Sequence, residues 1–333
     1  MKVVVLEDWN HFFPGVPSLE RLRDRVEVEV HPDRPADRAD LLARLQDAQI
    51  VVLNRERTRF DASVIGALPA LELIVQTGGI GPNVDVAAAS ARGVAVMAGP
   101  GLPNSIAGVA ELALGLWIGL ARQIPANDRN VRSGHWNVAP TVLLNGGTMG
   151  IVGLGRLGRC LARVGHALDL TVIAAGPTLT PERAAQSQVE FVSLDDLFPR
   201  ADVVFICTRL SDLTRGLVTR RHLELMKPSA YLINVARGPI VDEAALLELL
   251  QQRRIAGAGL DVFGQEPLPV GHPLTTLDNV ILTPHIGWVT AANCERFVNS
   301  VVDSINRYLD GDVSKLANPE ALAARPAVRA EGR

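Results

Sequence analysis

Three short segments place reactive side chains directly after apolar runs. At strand ends of this kind an open α/β sheet usually binds its ligands. In Leu232-Ile233-Asn234-Val235-Ala236-Arg237-Gly238 the reactive group is Arg237. Its guanidinium is a planar fork that holds a carboxylate or a 2-oxo acid by two parallel hydrogen bonds, which lysine cannot do. An arginine opening a helix and paired on the surface would look the same, although Gly238-Pro239 argues for a fixed turn. In Leu260-Asp261-Val262-Phe263-Gly264-Gln265-Glu266-Pro267 two acids occur, Asp261 in the apolar run and Glu266 in the loop. An acid inside a strand needs a partner, because burying a lone charge is costly. In Ile281-Leu282-Thr283-Pro284-His285-Ile286-Gly287-Trp288 the group is His285. Histidine carries protons near neutral pH. A paired carboxylate such as Glu266 would orient the ring and favour its charged form. Any one of these segments alone fits a structural or solvated residue; the three together point to acid–base chemistry on an anionic substrate.

A fourth segment explains what that chemistry would serve. Gly153-Leu154-Gly155-Arg156-Leu157-Gly158 follows the apolar run 148–152 and opens an amphipathic stretch. A GxGxxG between strand and helix is a dinucleotide turn: Gly153 for the tight turn, Gly155 for close approach of a pyrophosphate, Gly158 for helix–strand packing. Arg156 and Leu157 open the helix whose N-terminus faces the anion. An acid that would hold the adenosine ribose is expected about 20 residues further on. The sequence has Ala174-Ala175-Gly176-Pro177-Thr178 there. With Gly176 in that place nothing repels a 2'-phosphate. Arg183 and Arg209 either meet such a phosphate or lie in solvent. The cofactor expectation is therefore NAD or NADP.

These segments need a scaffold. Runs at 2–6, 27–30, 49–53, 71–75 and 95–97 predict buried strands, separated by helices at 19–23, 41–45 and 62–68. This alternation predicts a parallel sheet covered on both faces. After Asn145-Gly146-Gly147 a second series begins. Its strands are expected at 148–152, 171–175, 189–192, 202–207, 230–234, 257–262 and 280–282. Its helices are expected at 156–168, 194–198, 221–226 and 243–252. That is a complete doubly wound unit, a Rossmann domain by its glycine turn. A long helix at 105–122 joins the two series. A last helix is expected over 286–310, with Val298, Val301, Val302, Ile305 and Tyr308 at helical spacing. The residues from Pro319 on, rich in Ala, Arg and Pro, are expected to fray.

Composition limits the function classes. The 333 residues suit two domains, and 47% hydrophobic with 21% charged residues is a globular balance. A net charge of -3 leaves no basic footprint for nucleic acid. Cys160, Cys207 and Cys294 are widely spaced, so neither a disulfide framework nor a metal cluster is expected. The N-terminus has too short an apolar run for a signal peptide, and the stretch 109–121, carrying Glu111, is too short to span a bilayer. The expectation is a cytoplasmic protein with no membrane and no nucleic-acid partner.

Across nearly its whole length the sequence resembles the D-isomer-specific 2-hydroxyacid dehydrogenases, which include D-lactate, glycerate and phosphoglycerate dehydrogenases and glyoxylate/hydroxypyruvate reductases. The resemblance rests on Asn83-Val84-Asp85, Val109-Ala110-Glu111, Gly134-His135-Trp136, GLGRLG at 153–158 and Thr214-Arg215-Gly216-Leu217. It continues through NVARGPIVDE at 234–243, LDVFGQEP at 260–267 and TPHIGW at 283–288. It implies that Arg237, Glu266 and His285 form a catalytic triad, with Arg237 on the substrate carboxylate, His285 moving the proton and Glu266 keeping His285 charged and aligned. It implies that Asp261 contacts the nicotinamide carboxamide. Thr208, Arg209, Val235, Ala236 and His285 join the glycine turn and Gly176 around the cofactor. The loop Gly78-Gly79-Ile80-Gly81 is implied to bind the substrate carboxylate through its N–H groups. The implied fold is α/β, with two doubly wound parallel-sheet domains closing on a cleft. A Rossmann cofactor domain (104–286) is inserted into a discontinuous flavodoxin-like substrate domain (1–103 and 287–333). The partners implied are a small 2-oxo or 2-hydroxy acid and a second copy in a homodimer.

The sequence departs from the family pattern in three places. The acid at the ribose is absent, the segment 100–108 is slightly longer, and Cys207 and Arg209 replace the more usual His and Pro. Two other functions suit the same motifs. One is a nicotinamide-sensing scaffold without turnover. The other is formate oxidation, which would need an amide beside the histidine where this sequence has Glu266.

Overall fold

The computed structural model describes residues 1–99, 105–136 and 139–324. The chain forms two compact units, Met1–Pro103 with Thr290–Arg333, and Asn104–Val289.

The first unit alternates strand and helix: β1 (Lys2–Leu6), α1 (Pro17–Arg23), β2 (Glu27–Val30), α2 (Arg38–Leu45), β3 (Ile50–Leu53), α3 (Ala62–Gly66), β4 (Leu73–Gln76), α4 (Val86–Ala91) and β5 (Ala95–Ala98). Asp37, Asp61 and Asp85 each accept an N–H of the helix they precede, which is why α2, α3 and α4 start where they do. The sheet order is β2-β1-β3-β4-β5, parallel throughout, so the chain reverses direction across the sheet between β1 and β3. This is the flavodoxin-like order. Val3, Val4, Val5 and Leu6 are all buried, as a parallel strand covered on both faces requires.

The second unit opens on α5 (Ser105–Ala121) and α6 (Ile124–Arg132). It continues with β6 (Thr148–Val152), α7 (Arg156–Ala167), β7 (Thr171–Ala175), α8 (Pro181–Ala185), β8 (Glu190–Phe191), α9 (Leu194–Arg200), β9 (Val203–Ile206) and α10 (Arg220–Glu224). β10 (Tyr231–Asn234), α11 (Glu243–Gln251), β11 (Gly257–Leu260) and β12 (Val280–Leu282) complete it. Seven parallel strands lie in the order β12-β11-β10-β9-β6-β7-β8, with the switch between β6 and β9. Helix α5 is more than a connector. Its Ala113, Leu116 and Trp117 are buried, and the Trp117 ring meets Phe205 edge-on at 5.8 Å. β11 lets it come close because Gly259 lacks a side chain: a Cβ there would lie 2.8 Å from Leu116.

Three expectations need correction. The strand at 189–192 shrinks to the two-residue β8. Helices α4, α6 and α8 are additional; α8 is capped by Thr180 and started by Pro181. The residues after Pro319 do not fray at once. Pro319–Ala324 form a 3-10 helix with Ala321 buried. It is anchored by Asn318, which accepts from the Val96 N–H at 2.7 Å and donates to the Val94 carbonyl at 2.9 Å. Residues 100–104 and 325–333, on which two further expectations fall, lie outside the described residues.

The last helix, α12 (Ala291–Leu309), packs on α1, with Phe297 edge-on to Phe13 at 6.0 Å. Both rings are buried. Removing such a ring costs about 3–5 kcal/mol, including the cavity left behind. Phe297→Ala is therefore expected to lower the stability of the first unit by that amount in urea unfolding. Peptide-resolved hydrogen exchange should show α1 and α12 losing protection together. An unchanged midpoint would detach α12 from this core.

Candidate active site

The glycine turn sits at the switch point of the second sheet. Gly153 ends β6 at φ +101°, where L side chains are strained, and a Cβ there would meet the Thr208 backbone at 2.8 Å. Gly158 needs its missing Cβ too, since one would lie 2.4 Å from the Gly153 carbonyl oxygen. A Cβ on Gly155 would meet nothing within 4 Å. Gly155 is also the N-cap of α7 and offers no side chain to the first-turn N–H groups. An open cradle in front of uncapped helix amides fits a pyrophosphate. Arg156 is exposed and Leu157 is buried under the turn. At the end of β7, Gly176 stands 3.6 Å (from its would-be Cβ) from Gly153, and Arg183 donates to the Thr178 carbonyl at 2.6 Å. Arg183 thus braces the loop that follows β7. Arg209 is exposed.

Three adjacent strand ends carry the other groups. At the end of β10 the buried Asn234 shapes the turn: its Oδ1 accepts the Ala236 N–H at 3.1 Å and its Nδ2 donates to the Arg237 carbonyl at 3.1 Å. The Arg237 guanidinium donates to the Ala236 carbonyl at 2.7 Å. Val235 and Ala236 are buried, and the Ala236 amide is already spent on Asn234.

At the end of β11, Asp261 is 1% exposed. Its Oδ1 accepts the Thr283 hydroxyl at 2.6 Å and the Ile286 N–H at 2.8 Å, and its Oδ2 accepts the Gly287 N–H at 2.9 Å. Burial pushes this carboxyl up, against the pull of those three donors and of His285. Asp261 thus ties the loop after β12 to the end of β11. Within that loop His285 takes φ +58°, a left-handed conformation that costs roughly 1 kcal/mol and persists where its surroundings impose it.

The result is a direct contact. His285 Nδ1 lies 2.7 Å from Glu266 Oε2, while Glu266 Oε1 accepts the Phe263 N–H at 3.0 Å. Burial alone would raise the Glu266 carboxyl. The His285 hydrogen bond and charge, the Phe263 N–H and the charge of Arg237 outweigh it and hold the group below its ordinary value. Glu266, His285 and Arg237 thus form one electrostatic cluster. Among the described residues no group of His, Cys, Asp and Glu could hold a metal ion.

In the first unit, Gly78 turns at φ +82° and Gly79 is exposed. The Gly81 N–H is donated to Gln76 Oε1 at 3.2 Å, so the glycine expected to serve an anion instead braces its own loop. Ile80 and Gly79 carry the remaining amides. Sequence reasoning missed Asn234, Thr283 and Gln76 as bracing groups. Their signal is faint: each is a lone polar residue at the end of an apolar run.

Comparison with known proteins places the chain in a family. The family described as D-isomer specific 2-hydroxyacid dehydrogenase, NAD binding domain, matches residues 114–287. A D-3-phosphoglycerate dehydrogenase of Mycobacterium bovis is 40% identical over 298 residues, covering 89% of this chain and 55% of that protein. The chain thus spans about half the length of that relative. A glyoxylate reductase of Thermofilum pendens is 36% identical over 327 residues, covering 93% and 94%. A phosphoglycerate oxidoreductase structure from Vibrio cholerae superposes with a TM-score of 0.86 at 30% identity, covering 93% and 99%.

Because the Glu266 pKa is depressed on folding, its pairing stabilises the protein above about pH 4.5 and is lost as the pH falls through the lower folded value. The melting-temperature gap between wild type and Glu266→Gln should be widest near neutrality and close on acidification. A gap that widens in acid would contradict the pairing.

Proposed function

The chain belongs to the D-isomer specific 2-hydroxyacid dehydrogenase family, and from that premise we propose that it interconverts a small 2-oxo acid and the D-2-hydroxy acid. The observation that carries this reading is the 2.7 Å contact of His285 with Glu266 inside the field of Arg237. A nicotinamide cofactor, with its pyrophosphate at the 153–158 turn, would supply the hydride for the oxo carbon or take it up in the reverse direction.

The chain's own residues do the rest. Arg237 holds the substrate carboxylate and presents fixed charge where negative charge develops on the oxo oxygen. His285, tied through Nδ1 to Glu266, directs Nε2 to that oxygen and gives it the proton. Glu266 aligns the ring and offsets its positive charge. Asp261 keeps the loop in place and is the residue we assign to the carboxamide. In the first unit the Gly79 and Ile80 amides are donors for an anion.

Nicotinamide chemistry itself follows from the NAD-binding family match. We propose further that the site admits NADP(H) as well as NAD(H). Gly176 brings no carboxylate, and Arg183 braces the loop where a 2'-phosphate would lie.

The protein is proposed to act as a cytoplasmic homodimer. Its three cysteines are free, which suits a reducing compartment. Among the described residues no single helix is long and apolar enough to cross a membrane. For the dimer, α6 and the segment after it leave Val131 54%, Trp136 85% and Leu143 79% exposed, large apolar side chains that a second copy would cover.

Oxidation of NADH and NADPH, offered separately with glyoxylate, hydroxypyruvate, pyruvate or phenylpyruvate, tests the reaction by loss of the nicotinamide absorbance. Turnover with at least one pair is expected. His285→Ala should lose a factor of about 10² to 10⁴ in kcat while still binding the cofactor. Near-normal turnover would remove His285 from its role. Gly176→Asp should cut kcat/KM with NADPH about tenfold or more and spare NADH, because the new carboxylate opposes a 2'-phosphate. An unchanged NADPH rate would place the adenosine elsewhere. Trp136→Asp should shift the mass in light scattering from dimer to monomer.

A further inference from the structure

The roles assigned above leave one carboxylate beside the site unused. Glu243 is the first residue of α11, directly after the N-cap Asp242. Its Oε2 accepts the Gly264 N–H at 2.8 Å. A Cβ added at Gly264 would lie 3.3 Å from Glu243 Oε1, so the glutamate lies closely over that turn. The neighbouring peptide group is held from another element too. A Cβ on Gly238, next to Arg237, would lie 2.0 Å from the Phe263 carbonyl carbon and 2.1 Å from its oxygen. The Phe263–Gly264 peptide is therefore clamped between the turn that carries Arg237 and the first turn of α11. Glu266 folds back onto the N–H of the same Phe263 and reaches His285 with its other oxygen.

We propose that Glu243 is a positioning residue for the Glu266–His285 pair, fixing through the Gly264 amide the turn from which Glu266 reaches the histidine. The catalytic sense of this proposal rests on the dehydrogenase reading; its geometric content does not. A surface glutamate at a helix start would ordinarily face solvent or neutralise the helix dipole. Here the carboxylate is turned onto a backbone amide 21 residues away in the chain. The charged groups that act on Glu266 are His285, in contact, and Arg237 from the β10 turn; Glu243 meets the Gly264 amide instead. Loss of Glu243 frees the peptide without removing any group that meets substrate or cofactor.

The test uses the full chain with Glu243→Ala and Glu243→Gln. The amide oxygen of glutamine still accepts the Gly264 N–H; alanine does not. Hydrogen exchange in peptides covering 260–267 should speed up about tenfold at Gly264 in the alanine variant, the worth of one hydrogen bond, and stay at the wild-type rate in the glutamine variant. With NADH or NADPH and whichever 2-oxo acid the wild type reduces, Glu243→Ala should lose about tenfold in kcat. The acid limb of its pH profile should move up, because a loosened turn weakens the His285 and Phe263 contacts that hold the Glu266 carboxyl down. Glu243→Gln should keep both. Unchanged exchange at Gly264, or faster exchange with a wild-type acid limb and kcat, would overturn the proposal. If wild type turns over no 2-oxo acid, the dehydrogenase reading fails. The exchange data and a carboxyl carbon-13 titration of Glu266, assigned with Glu266→Gln, would then decide the positioning role alone. If Glu243→Ala fails to unfold cooperatively, Glu243→Asp, one methylene short of Gly264, carries the same comparison.

Discussion

Lateral pairing of three parallel strands is the constraint on which the site depends. Asn234 of β10 pairs with Leu260 of β11, and Leu260 pairs with Leu282 of β12. Neighbouring strands lie about 4.8 Å apart. Three loops therefore leave the same edge of the sheet side by side: one carries Arg237, one Glu266 and one His285. A slip of one residue in either pairing would turn each strand's side chains to the opposite face and part the loops. The register is held because β10 and β11 are buried against α5 on one face and α11 on the other, with Gly259 admitting α5 and Gly257 admitting the Asn279 backbone beside β12.

Register alone does not align functional groups to a hydrogen bond. Buried polar groups complete the alignment, each satisfied by a neighbouring loop. Asp261 gathers a hydroxyl and two amides of the loop that bears His285. Asn234 closes the turn that bears Arg237. Such groups are expensive to bury without partners and so specify one loop conformation when all partners are met. The left-handed backbone at His285 is tolerated because Asp261 imposes it from both sides.

The cofactor turn follows the same logic with an absent side chain in place of a polar group. At the β6–β9 switch the chain must leave two strand ends in contact, and Gly153 against Thr208 is that contact. Packing determines two of the turn's three glycines, and the space in front of the third remains open for a ligand.

By itself the sequence determined the parallel α/β class, the glycine turn and the position of Arg237, Glu266 and His285 beyond apolar runs. All of these follow from local pattern: continuous apolar runs make doubly buried strands, and a reactive residue just past a run comes to the sheet edge. Tertiary structure alone decided the bracing contacts. Glu243 takes the Gly264 amide, Asp261 takes the Ile286 and Gly287 amides and Gly238 meets Phe263, each more than 20 residues away, and no local pattern encodes those meetings. The order of residues 319–324 is the plainest case, since Asn318 finds its partner at Val96, 222 residues earlier in the chain. Helix α6 escaped a periodicity reading for the opposite reason: none of its residues is buried, so no apolar face turned to a core marks it. Local pattern specifies what each segment can bury; long-range packing specifies which buried polar group finds which amide.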